Sequence, residues 1–196
     1  AGGTSMFLYN FLKVAQKTAI HSVAYITPGP YVEKIKKLGI KTVQLSATFM
    51  PRYAPGLYQQ LSRIVQEHNI NLIHAILPQA ITYSRLVGRI HGIPVVCGIH
   101  GDMSKAGRFH KLTNYLTGHW ATHYVAVSDI TKQQFLKQKF LWKNKINISV
   151  INNGIDIKSI TTSAQKNMCT RSMIGLDENA FVIGSVGRLS PEKSYD

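Results

Sequence analysis

Four short stretches of the 196-residue chain combine residue types and spacings that chemistry can use. His100-Gly101-Asp102 follows the apolar stretch 94–99, which puts an imidazole and a carboxylate at the carboxyl end of a predicted strand. In open α/β sheets that edge is where ligands bind. A histidine there can donate to a hydroxyl or meet developing charge, and the glycine leaves room for a substrate; the same residues would also serve as a loop histidine and a helix-capping Asp102. His74, inside the stretch 72–76, suits either a ligand contact or a satisfied rim histidine. Gly2-Gly3-Thr4 opens an amphipathic stretch, so its backbone N–H groups and a helix dipole can face a phosphate, or its glycines can simply permit a turn. Arg188 and Lys193, on the stretch after Gly184-Ser185-Val186-Gly187, can clamp a pyrophosphate, the first by a planar fork and the second as a point charge. By themselves they would make an ordinary solvated basic loop. Asn153-Gly154 suits a turn and says nothing of chemistry.

The elements that must hold these residues are legible in the hydrophobic pattern. Runs rich in β-branched residues at 22–26, 41–45, 72–76, 94–99, 123–127 and 149–152 predict strands. Amphipathic stretches at 4–16, 31–38, 57–68, 80–91, 108–116 and 130–140 predict the helices between them. Gly39 and Gly92 each close such a stretch just before a strand, where a residue tolerant of the left-handed conformation is wanted. Alternation of this kind predicts an α/β fold, a Rossmann-like doubly wound parallel sheet covered on both faces by right-handed crossovers. Residues 1–156 form the predicted amino-terminal domain, 157–180 a polar linker, and 181–196 the start of a second domain whose first strand is 181–186. No strand precedes Gly2-Gly3, the chain begins at Ala1 and it stops among motif-like residues. A fragment is therefore expected, lacking a first strand that would lie near the centre of the sheet and so leaving an open gap or a rearranged edge.

Composition limits the alternatives. Lysine and arginine number 23 against 9 aspartate and glutamate, giving a formal charge of +14, and 44% of residues are hydrophobic, as in ordinary globular domains. Cys97 and Cys169 fit neither a metal spacing nor a disulfide framework, which points to inert thiols in a reducing, cytoplasmic compartment. No apolar run approaches the ~18 residues of a membrane span, and no signal-peptide pattern opens the chain.

Taken in order, Gly2-Gly3, His100-Gly101, Val125-Ala126-Val127-Ser128-Asp129, Asn153-Gly154-Ile155-Asp156 and Gly187-Arg188-Leu189-Ser190-Pro191-Glu192-Lys193 resemble a family 4 retaining glycosyltransferase of the GT-B fold. The resemblance covers the amino-terminal, acceptor-side domain without its first strand, the linker and the opening of the donor domain. It implies transfer of a sugar from a nucleotide-sugar donor to an acceptor hydroxyl, with retention at the anomeric carbon and without an essential metal or other cofactor. It also implies roles: His100 as the amino-domain catalytic contributor, and Gly2, Gly3, Arg188 and Lys193 at the donor phosphates. Position alone makes His74 and Asp102 the acceptor-side candidates. The family's favoured base is a phosphate oxygen of the donor. Ser194 departs from the family's usual Gly, and the chain stops before the Glu-x7-Glu segment that holds the donor's sugar and ribose, so residues 1–196 alone are expected to be inactive.

Between Asp102 and Asp156 the only acid is Asp129, against eight lysines and arginines. Lys132 to Lys145 also carries Phe135, Leu136, Phe140, Leu141 and Trp142, a composition that suits either an anionic membrane surface or a solvated helix with its apolar residues in the core. Membrane contact would place the chain peripherally on the cytoplasmic face and favour a lipid-linked or envelope glycan acceptor over a small molecule. Two other classes compete: a basic module binding nucleic acid, disfavoured by the lack of an aromatic stacking platform interleaved with arginine, and a nucleotide-sugar epimerase or phosphorylase on the same fold.

Overall fold

The computed structural model describes residues 3–46, 55–101, 107–141, 143–166 and 169–187. It divides into two compact units, Ala1–Gly154 and Ile155–Asp196. In the first, six strands alternate with six helices: α1 (Gly3–Ala15), β1 (Ser22–Tyr25), α2 (Pro30–Lys37), β2 (Lys41–Gln44), α3 (Pro55–Glu67), β3 (Ile73–Ile76), α4 (Pro78–His91), β4 (Val95–Ile99), α5 (Arg108–Thr117), β5 (His123–Ala126), α6 (Asp129–Leu136) and β6 (Ile148–Val150). Each overlaps the stretch that the hydrophobic pattern assigns to it, although α6 ends sooner.

All strand pairing is parallel, but the single sheet predicted from sequence is divided. β1 pairs with β2, and β3-β4-β5-β6 form a separate four-stranded sheet. Among the described residues no strand pairs with both β1 and β3. Helix α1 spans the separation: Leu12 packs with Ile35 and Ile40 on the β1-β2 side, while the Phe11 ring stands edge-on to His21 before β1 and to His74 of β3, at 6.3 and 5.8 Å between centroids.

The larger core lies on one face of the four-stranded sheet. Val95, Cys97 and Ile99 of β4 join Ala75, Tyr124 and Phe135 there, all nearly inaccessible. Burial pushes the Cys97 thiol up to about 12, against the pull of Arg85, so it is inert as expected. Arg85 of α4 is itself fully buried in this region; its Nη1 donates to Tyr124 Oη at 2.9 Å, and Tyr124 Oη donates to the Gly118 carbonyl at 2.7 Å. Gly39 and Gly92 both hold positive φ, 78° and 67°, and the Gly92 N–H closes α4 on the Gly88 carbonyl. Ser128 caps α6 by accepting from the Thr131 N–H at 3.2 Å.

Three expectations need correction. Helix α6 stops at Leu136 and does not run to residue 140, because Phe140 turns inward onto the Phe135 ring at 5.1 Å. Phe135 and Phe140 are therefore core residues and not membrane anchors; Trp142 lies outside the described residues. In the second unit, α7 (Ile157–Lys166) occupies the start of the predicted linker, and residues 181–186 form no strand. Phe181 and Ile183 are almost fully exposed. A strand is made by its neighbours' hydrogen bonds and buried face, and no described residue offers either to this segment.

Candidate active site

Alternation along β4 sends Val95, Cys97 and Ile99 into the core and leaves Val96 and Gly98 on the opposite face. The β3-β4 register pairs His74 with Val96, so His74 shares that second face. His100, just past the end of β4, folds back over it. A Cβ at Gly98 would sit 3.2 Å from His100 Nε2 and 3.3 Å from His74 Nε2. The missing side chain of Gly98 is thus what lets two imidazoles converge over the carboxyl end of β4. An isolated glycine inside an apolar strand signals such close approach, although the motifs singled out above do not include it.

Helix α1 supplies the roof. The Phe7 ring packs on the His100 ring at 4.4 Å and 56°, and Phe11, one turn later, meets His74. Gly3, the first residue of α1, lies one turn before Phe7, so the amino-terminal end of the helix and His100 belong to the same corner. His74 and His100 are thus neighbours over Gly98, and Gly3 begins the helix whose Phe7 covers His100. Asp102, Gly2, Arg188 and Lys193 lie outside the described residues. Phe7, Phe11 and Gly98 are site residues that sequence reasoning missed. Leu77, the residue that follows β3, has φ 80° and ψ 147°. That region is essentially reserved for glycine and costs a bulky residue on the order of 1–3 kcal/mol, strain located at the carboxyl edge where ligands bind.

Burial holds His100 below the usual histidine value, and His74 is lowered first by burial, then by repulsion from His100. His74 keeps solvent access along the open edge of β3, but the crowding by His100 and Phe11 still disfavours a second positive charge there. The pair is accordingly neutral near pH 7, able to donate through one ring nitrogen and accept through the other. Stability responds with a definite sign. Below the usual 6.5 the unfolded chain binds protons that the folded pair refuses. The contribution is complete above 6.5 and is lost as pH falls toward the lowered values. His119, lowered by burial and by Lys145, Arg89 and Arg85, adds the same sign. We expect the melting temperature to drop between about pH 7.5 and about pH 5.5, and His74→Gln to flatten part of that slope. An unchanged slope in thermal melts of the variant would remove His74 from this account.

Residues 1–159 match the family model described as Glycosyltransferase Family 4, and the chain belongs to that family. Among curated proteins it is 24% identical over 141 residues to an Escherichia coli UDP-Gal:alpha-D-GlcNAc-diphosphoundecaprenol alpha-1,3-galactosyltransferase, covering 68% of this chain and 36% of that protein. Among solved structures it resembles Anabaena Alr3699/HepE, crystallised in complex with UDP-glucose, with a TM-score of 0.63, 18% identity and coverage of 85% of this chain and 46% of that one. A glycosyltransferase from Rickettsia africae ESF-5 follows with a TM-score of 0.54, 18% identity and coverage of 83% and 44%. These likenesses fix the fold as the Rossmann-like half of a GT-B architecture. The chain spans less than half the length of these relatives.

Proposed function

We propose that this chain is the acceptor-side half of a retaining glycosyltransferase that moves a hexose from a uridine-diphosphate sugar to a hydroxyl of a lipid-diphosphate-linked acceptor, without a metal. The observation that carries this reading is the neutral His74–His100 pair, roofed by Phe7 at the carboxyl edge of the sheet in a member of this family. UDP-glucose in the Anabaena structure and the diphosphoundecaprenol acceptor of the Escherichia coli relative support the two substrate classes.

In the proposed reaction the bond between the anomeric carbon and the diphosphate oxygen breaks, and the diphosphate leaves with the electron pair. The acceptor oxygen bonds to the same carbon on the same face, and its proton passes to the departing phosphate. Gly2, Gly3, Arg188 and Lys193 stabilise the charge that grows on the diphosphate. His100 hydrogen-bonds the transferred sugar as positive charge develops, while His74 and Asp102 are assigned to binding the acceptor.

The test uses the full-length protein with its donor-side half, a panel of uridine-diphosphate hexoses and a short-chain prenyl-diphosphate sugar. A new glycosidic product with retained anomeric configuration by NMR, formed equally after dialysis against a chelator, is the expected result. Epimerised donor without acceptor product would replace this reading with the epimerase one; chelator-sensitive turnover would overturn its metal-independent part.

A further inference from the structure

Two ring nitrogens from different segments border one small space. His74 Nε2 and His100 Nε2 lie 3.3 and 3.2 Å from the point where a Cβ on Gly98 would stand. Among the described residues neither ring has a hydrogen-bond partner. The proposed reaction uses the two rings separately, His100 at the sugar and His74 at the acceptor, and nothing in it needs their nitrogens to meet. Two imidazole nitrogens around one space are, however, a donor set for a single cation. Imidazole suits zinc, copper and nickel, whereas magnesium and calcium take oxygen ligands. A tetrahedral zinc holds each nitrogen at roughly 2.0–2.1 Å and so keeps two of them about 3.3 Å apart.

The surroundings fit such an ion. Burial keeps both rings neutral near pH 7, so in the Nδ1–H tautomer each Nε2 has a lone pair that no proton contests. Phe7 packs on the His100 ring at 4.4 Å and Phe11 stands edge-on to the His74 ring at 5.8 Å, which fixes both rings from the side of α1. His74 is exposed and gives the ion a way in. No group of three or more histidine, cysteine, aspartate or glutamate side chains gathers among the described residues, so water fills the other coordination positions and the ion is exchangeable, unlike a closed structural metal. We propose that His74 and His100 together bind a divalent transition-metal ion of the zinc type over Gly98, and that its occupation withdraws His100 from the transferred sugar. The binding goes beyond the proposed reaction and is measured without substrate; the inhibition rests on that reaction.

The experiment titrates the full-length protein with Zn2+ held by a chromogenic chelator, in a Cys169→Ser background that removes the exposed thiol. The tightest equivalent should pass from the chelator to the protein, and about a hundredfold excess of Mg2+ or Ca2+ should not displace it. Each of His74→Gln and His100→Gln should weaken that equivalent by about tenfold or more. Gly98→Ala, which keeps both histidines and places a methyl group against their nitrogens, should weaken it roughly threefold or more. With Cu2+ in place of zinc, the electron paramagnetic resonance spectrum should show two coupled imidazole nitrogens in the parent and one in either histidine variant. Undiminished zinc uptake by either histidine variant, or a single coupled nitrogen in the parent, would overturn the proposal. Under the proposed reaction, added zinc slows transfer and a chelator restores it. Zinc that occupied both rings while transfer ran at full rate would uphold the metal site and remove His100 from the sugar.

Discussion

Gly88→Ala should lower stability by about 3 kcal/mol or more, roughly 6–12 °C in melting temperature for a unit of this size. Gly88 lies inside α4, where alanine would ordinarily be favoured by about 1 kcal/mol. Here a Cβ would overlap Val95 Cγ2 and stand 2.7 Å from the Ile93 carbonyl oxygen. Neither neighbour can retreat. The Ile93 N–H donates to the Gly88 carbonyl at 2.9 Å, holding the turn against the helix end. The Val95 N–H donates to Thr122 Oγ1, and the Val95 carbonyl accepts from the Thr122 N–H, so β4 is pinned from its other side. Because α4 approaches β4 so closely, overpacking outweighs the gain in helix propensity. Adding Val95→Ala should recover only part of the loss, because the clash with the Ile93 carbonyl remains. Gly39→Ala is the contrast: its Cβ meets open space and only the positive φ resists, so about 1 kcal/mol is expected. Denaturant melts of the three variants decide it, and a Gly88→Ala protein as stable as the parent would refute this packing argument.

How much of this was readable before the structure depends on how local the signal is. Strand and helix positions follow from periodicity over single windows, and the left-handed Gly39 and Gly92 closures follow from residue chemistry at one position. His100 was legible for the same reason, as a polar residue ending an apolar run. What requires two distant segments was not. The contact of His74 and His100 over Gly98 depends on the β3-β4 register, and the Phe7 roof on how α1 crosses the gap between the sheets. Residues 181–186 have every local mark of a strand and no partner among the described residues to make them one. Helix α5 misleads in the opposite direction. The spacing of Leu112 and Leu116 announces a buried face, yet threonine, asparagine and histidine face inward and the leucines face out. Periodicity reports that a helix has two faces; only packing reports which one the domain uses.

His100→Ala, made in the full-length protein, should reduce kcat by about 10²–10³ with little change in melting temperature, if His100 acts on the transferred sugar as proposed. The ring is half-buried, resting on Phe7 and over Gly98 at the edge of the sheet, so its removal costs little packing beside its chemical effect. Its chemical loss is larger, because a hydrogen bond that the neutral ring accepts from a hydroxyl of the sugar strengthens as positive charge develops there in the transition state. The loss should consequently appear in kcat more than in KM. His100→Gln, which keeps a neutral acceptor near the same place, should restore part of the rate, since burial keeps the native ring neutral and able to accept. His74→Gln separates the two histidines: His100 is lowered by its own burial, and the repulsion between the rings acts on His74. The acidic limb of the rate profile should then stay in place in the variant even where the maximal rate changes. A limb that moved to higher pH would mean that the two rings titrate as a coupled pair. If His100→Ala turned over at the parental rate, the histidine at the sheet edge would be a wall of the pocket and the charge on the sugar would have to be met by the donor-side half.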